Sequence, residues 1–172
     1  RAVPRFERLF EDLGIPATFF AIAADPEATH SSVTVYYKQD VEPEGRVGDY
    51  RRYLIQALYH RMLNQRLEEL TMQADPPYLQ GVSTQGQMVR SKDAYMLRAV
   101  VADNGVERGL EAILQEARRV LVHGFTATEL AREKKAMLRR MEQAHRERDK
   151  TRSGRFADEY KRSFLTGEPI PG

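Results

Sequence analysis

The sequence predicts an α+β fold: a mostly antiparallel sheet with its helices packed on one face. Two observations carry this. Short stretches of period-two or apolar character lie close together, two of them joined by a brief polar turn, while apolar residues at helical spacing gather into separate long segments. The predicted order is β β α β β α α α, with no internal repeat and no low-complexity segment.

Residues 1 to 16 form a charged lead-in closed by Pro16. The apolar run "ATFFAIAAD" (17–25) predicts a first strand, stopped by Asp25-Pro26. In "SSVTVYYKQ" (31–39), Val33, Val35 and Tyr37 alternate with Ser32, Thr34 and Tyr36, the signature of a half-buried strand. A polar loop with Pro43, Gly45 and Gly48 leads to Asp49, read as the N-cap of a helix running to about residue 73. Its apolar stripe is Tyr50, Leu54, Leu58, Met62, Leu63, Leu67 and Leu70. Pro76 and Pro77 then forbid further helix and hold the chain extended.

Two strands follow, "YLQGVSTQGQMV" (78–89) and "AYMLRAVVAD" (94–103), around the polar "RSKD". An amphipathic helix over 104–124 places Val106, Leu110, Ile113, Leu114, Ala117 and Leu121 on one side, with His123 and Gly124 as its C-terminal signal. Next, Thr126 and Glu129 have capping-box spacing, and Phe125 and Leu130 the spacing of a hydrophobic staple. They start a helix carrying Leu130, Met137, Leu138 and Met141. After a charged stretch, Phe156, Tyr160 and Phe164 mark a last helix ending at Gly167. The core is predicted to include Leu54, Leu58, Leu110, Ile113, Leu114, Leu130 and Met137.

Composition sets few limits. With 172 residues, 30% charged and 41% apolar, the chain can bury a substantial core without staples. It has no cysteine, which excludes disulfides, thiolate metal sites and a cysteine nucleophile. No run approaches the ~20 apolar residues that span a bilayer, and no signal peptide is visible. The reading is a soluble protein whose compartment stays open between bacterial periplasm and cytoplasm. The first residue is Arg1, so the chain is expected to be a piece of a longer protein.

Catalytic signatures are absent. His30, His60, His123 and His145 show no H-E-x-x-H or H-x-x-E-H spacing and are read as surface or helix-end residues. "GVSTQG" (81–86) lies in strand-like sequence and lacks the lysine of a phosphate loop, so it is read as structural. No protein ligand set for a metal is predicted in this chain. Residues 132 to 162 carry twelve Lys and Arg against six acids, leaving +6. The acids are interspersed, as on a solvated helix face, which makes nucleic acid an unfavoured partner.

"DPEATHSSVTVYYK", followed by "DYRRYLIQALYHRMLNQRLEELTMQADPPYLQG", resembles the second-type, non-catalytic domain of the pitrilysin/insulinase zinc metallopeptidases. "LVHGFTATELAREKKAMLRRME" is similar to that family's G-(F/I/V)-T-x-x-E-L-x-x-x-K helix start, and "DEYKRSFLTGEPIPG" to an exit segment of its long bacterial members. The resemblance covers about residues 17 to 172.

It implies the family's α/β sandwich, here as a chamber-forming domain over 17–150 with a C-terminal helix and exit linker over 151–172. Zinc, bound through H-x-x-E-H, would belong to a catalytic domain in the same longer chain, and the substrate would be peptide or unfolded polypeptide. This chain lacks that motif, so by resemblance it walls the chamber and positions the catalytic domain, and alone it is expected to be inactive. Family members that complete the active site from this domain carry R-L-F-x-E-x-R-E-x-x-G-L-x-Y after the long helix. Arg66 and Leu67 match the first pair, Met72 replaces the later Arg, and Tyr78 falls one residue short of the Tyr. Arg66 and Tyr78 are therefore the substrate-chamber candidates, with no catalytic residue assigned. The rival reading is an inactive scaffold or partner subunit of the same fold.

Overall fold

The computed structural model describes residues 20–25, 27–42, 46–150 and 152–167. Its elements are β1 (Ser31–Asp40), α1 (Val47–Thr71), β2 (Gln80–Val89), β3 (Lys92–Val101), α2 (Val106–His123), α3 (Ala127–Arg146), a 3-10 turn (Arg148–Lys150) and α4 (Ser153–Thr166). The three strands form one antiparallel sheet in the order β1-β3-β2. Val35, Leu97 and Ser83 lie side by side across it.

The α+β expectation holds, and both core helices lie on one face. Period-two alternation sends Leu97, Ala99 and Val101 of β3 inward. There they meet Leu63 and Leu67 of α1, Ile113 and Val120 of α2, and Tyr78. At Gly109 a Cβ atom would stand 2.4 Å from Val101 Cγ1, so glycine is what lets the α2 backbone approach β3 this closely.

Several expectations change. Residues 20–25 form no strand: Phe20 and Ile22 stand in solvent, and β1 is an edge of the sheet. An apolar run needs a paired ladder to become a strand, and here none is made; residues 17–19 lie outside the described residues. The long helix starts earlier than Asp49. Arg46 is its N-cap, and Asp49 sits at the third helical position, its carboxylate accepting the Arg46 N–H at 3.0 Å. The acid is thus used one turn inside the helix, where it still satisfies an orphan donor. Tyr50 is exposed and stacks on Tyr53 with centroids 6.2 Å apart.

The core list is also corrected. Ile113 is fully buried, but Leu54, Leu58, Leu110, Leu130 and Met137 are half-buried. Leu114 is 36% exposed and Leu121 85%. The buried line of α2 is Gly109, Ile113, Glu116 and Val120, one residue round the helix from the stripe predicted.

The capping box is present as predicted. Thr126 Oγ1 accepts the Glu129 N–H at 3.2 Å, and the Glu129 carboxylate accepts the Thr126 N–H at 2.6 Å. Thr126→Ala is expected to cost about 1 kcal/mol, read as a lower denaturant midpoint at unchanged slope. Phe125 is half-buried, its ring edge-on to Tyr59 at 5.7 Å. No helix among the described residues is long and apolar enough to cross a membrane.

Candidate functional site

The two chamber candidates sit at the α1–β2 junction. Helix α1 carries Arg66 toward α2 and α3. Its guanidinium donates to Glu129 through Nε at 2.6 Å and Nη2 at 2.9 Å, a two-pronged pair matching the planar carboxylate. It also reaches Glu116 Oε1 at 3.4 Å and the Gly124 carbonyl at 3.2 Å, and lies over the Phe125 ring at 4.9 Å. One side chain therefore ties three helices. The Arg66 hydrogen bond is the main cause holding the Glu129 carboxyl down at about 2. Glu116, buried, also meets Arg119 at 3.7 Å.

Tyr78 is 2% exposed. The two prolines send it straight from the helix end into the core, where its hydroxyl donates to the Leu67 carbonyl at 2.9 Å. Burial, with the Glu116 charge second, pushes its hydroxyl pKa upward. A Cβ at Gly81 would lie 2.8 Å from the ring, so the glycine makes room for it. The structure thus places Arg66 and Tyr78 at one junction but engages both internally: neither presents a polar atom free of partners within the chain.

A second polar group lies nearby. Asn64 spans the β2 backbone, accepting the Ser83 N–H at 2.6 Å and donating to the Ser83 carbonyl at 3.0 Å. His60 Nδ1 lies 2.8 Å from Ser83 Oγ, which donates to the Tyr95 hydroxyl at 3.3 Å. Tyr95 in turn meets Tyr59 at 3.1 Å. Ser83 is 1% exposed, so this His–Ser pair is closed off from solvent within the chain. His60 Nε2 is buried without a partner among the described residues, and burial holds the ring's pKa below its ordinary value.

His60 corrects the reading of every histidine as a surface or helix-end residue. The signal was present, because His60, Leu63, Asn64 and Leu67 follow i, i+3, i+4, i+7 spacing on one helix face. The pairing of Arg66 with Glu129 had no such signal; the residues are 63 positions apart.

Among the described residues no helix packs on the opposite sheet face. There Tyr36, Met96 and Thr84 lie in one cross-strand row, next to Thr34, Arg98 and Val82. Tyr36 and Arg98 are exposed. Such a face offers aromatic, apolar and hydroxyl contacts but no reacting group. Among the described residues no cluster of three or more His, Cys, Asp or Glu side chains could hold a metal ion.

No family model matches the chain. It is 30% identical over 155 residues to a protein of Arabidopsis thaliana named zinc protease PQQL-like, a match covering 90% of this chain and 13% of that protein. Among solved structures, the first half of the periplasmic protease PqqL from Escherichia coli matches 86% of this chain with a TM-score of 0.77 at 17% identity. The larger PqqL structure matches 99% of the chain with a TM-score of 0.76, again at 17% identity. At that identity the structural likeness speaks for the fold. The chain spans 13% of the curated relative, and 32% and 21% of the two solved chains.

Proposed function

From the homology of this chain to one segment of a pitrilysin/insulinase-type zinc protease, we propose that it is a non-catalytic domain walling the peptide chamber of a zinc metalloendopeptidase. The observation that carries this is the lopsided match: 155 residues, 90% of this chain, align with 13% of a zinc protease, in a chain without H-x-x-E-H. Residues 17–150 are the chamber-forming unit and 151–172 a helix and exit linker, after a lead-in over 1–16. Zinc belongs to a catalytic domain elsewhere in the longer protein, and the substrate is peptide or unfolded polypeptide.

In this reading the sheet face opposite the core helices, with Tyr36, Met96 and Arg98, meets the peptide. Arg66 and Tyr78 support that wall from behind by fixing α1 against α2, α3 and the sheet. The supporting observation is their engagement with partners inside the chain.

The test uses the isolated chain beside the longer protein. After dialysis the chain is expected to hold far less than one zinc per molecule and to leave a quenched fluorescent peptide intact, while the longer protein cleaves it. A catalytic zinc needs three protein ligands and an open position, so one tightly held zinc per isolated chain would overturn the assignment. A longer protein that binds peptide without cleaving it would point to the scaffold reading instead.

A further inference from the structure

Helix α2 carries two apolar stripes about 100° apart around its axis. Gly109, Ile113, Glu116 and Val120 face the chain's own core. Leu110, Leu114, Ala117 and Leu121 form the second, with 4-3-4 spacing, the pattern by which one helix packs along another. The stripe buried in the fold is the less apolar of the two, since it includes a glycine and a glutamate. Leu114 and Leu121 of the richer stripe stand 36% and 85% exposed, while Leu110 and Ala117, at its inner margin, are half-buried and pack against the chain's own core.

The stripe has a defined position. Arg108, on the opposite flank of α2, pairs with Asp75 in the α1–β2 connection at 2.8 Å. That flank faces α1, so the leucine stripe faces away from it, along the outer margin of the domain. Beside the stripe, on its solvent side, Glu111 is held by Gln115 at 2.8 Å, while Arg118 meets no acid among the described residues. A helix laid along the stripe would bring its own flanking charges to Arg118.

We infer that Leu114 and Leu121, backed by the core-packed Leu110 and Ala117, form a helix-docking seam, occupied in the longer protein by an amphipathic helix of another domain that sets an acidic side chain against Arg118. The inference rests on reading this chain as one domain of a longer protease. It is supported by the share of the relatives' length that the chain leaves uncovered, 87% of the curated protein by its 13% match. A partner helix with its own 4-3-4 stripe would complete the packing, and an acid opposite Arg118 would fix its register.

The test places the photo-crosslinking amino acid p-benzoylphenylalanine at position 121 of the longer protein. Irradiation is expected to give an intramolecular adduct, mapped by mass spectrometry to a helix outside residues 1–172. Adding Arg118→Glu should lower the adduct yield several-fold, and replacing the facing acid by lysine should restore it. An adduct to a second copy, an adduct outside any helix, or no adduct overturns the inference. Peptidase activity of the parent protein is measured separately. An adduct in an inactive parent would keep the seam and remove the protease reading, whereas an active parent without an adduct would remove only the seam.

Discussion

Replacing Arg66 by methionine is expected to destabilise the chain by about 3 kcal/mol, because it keeps the length of the side chain but strips two carboxylates of a cation they share. Glu129 loses a two-pronged partner and Glu116 loses one of its two arginines. Thermal unfolding should fall by about 10 °C for a chain of this size. Lysine at the same position should recover only part of the loss, since an ammonium restores the charge but not the paired geometry. The pH dependence follows from Glu129, whose carboxyl is held at about 2, below the ordinary value of about 4.3. A depressed acid contributes stability that is present above its unfolded pKa and lost as the pH falls toward the folded value. The parent should therefore lose stability between about pH 5 and pH 2, and Arg66→Met should be flatter through that window. A methionine variant as stable as the parent, with the same acid limb, would show that the clamp contributes nothing.

Tyr78→Ala should cost about 4 kcal/mol, the range for deleting a fully buried aromatic ring. Its partner measurement is Tyr78→Phe, which removes only the hydrogen bond to the Leu67 carbonyl and should cost about 1 kcal/mol. The pair separates two roles. If Tyr78 is a plug beneath the sheet, both variants lose stability in proportion to what they remove. In the longer protein, kcat/KM at low temperature would then stay near that of the parent for Tyr78→Phe. Were the hydroxyl a substrate contact, Tyr78→Phe would lose kcat/KM while its melting temperature barely moved.

Local features were legible where the physics is local. The capping box at Thr126 and Glu129 needs only four consecutive residues, and it forms where the spacing puts it. The proline break after α1 and the two strands beyond it were equally readable, because proline fixes its own φ and alternation belongs to the strand itself. Periodicity was weaker on α2. It found an apolar helix but chose the wrong stripe, since four leucine and alanine positions outweigh a line containing Gly109 and Glu116. What selects the latter line is the close approach to Val101 that only glycine permits, together with an arginine from another helix facing Glu116.

The sequence by itself therefore determined the fold class, the order of most elements, the absence of a zinc motif and the resemblance to a zinc protease segment. Tertiary structure decided the rest. It left residues 20–25 off the sheet, turned α2 so that Leu114 and Leu121 face outward, and drew His60 into a polar group with Ser83. It also set Arg66 and Tyr78 among partners within the chain. The physical reason is distance along the chain. Caps, turns and alternation are settled within a few residues, whereas a part-buried ion pair such as Arg66–Glu129 exists only after three helices have packed.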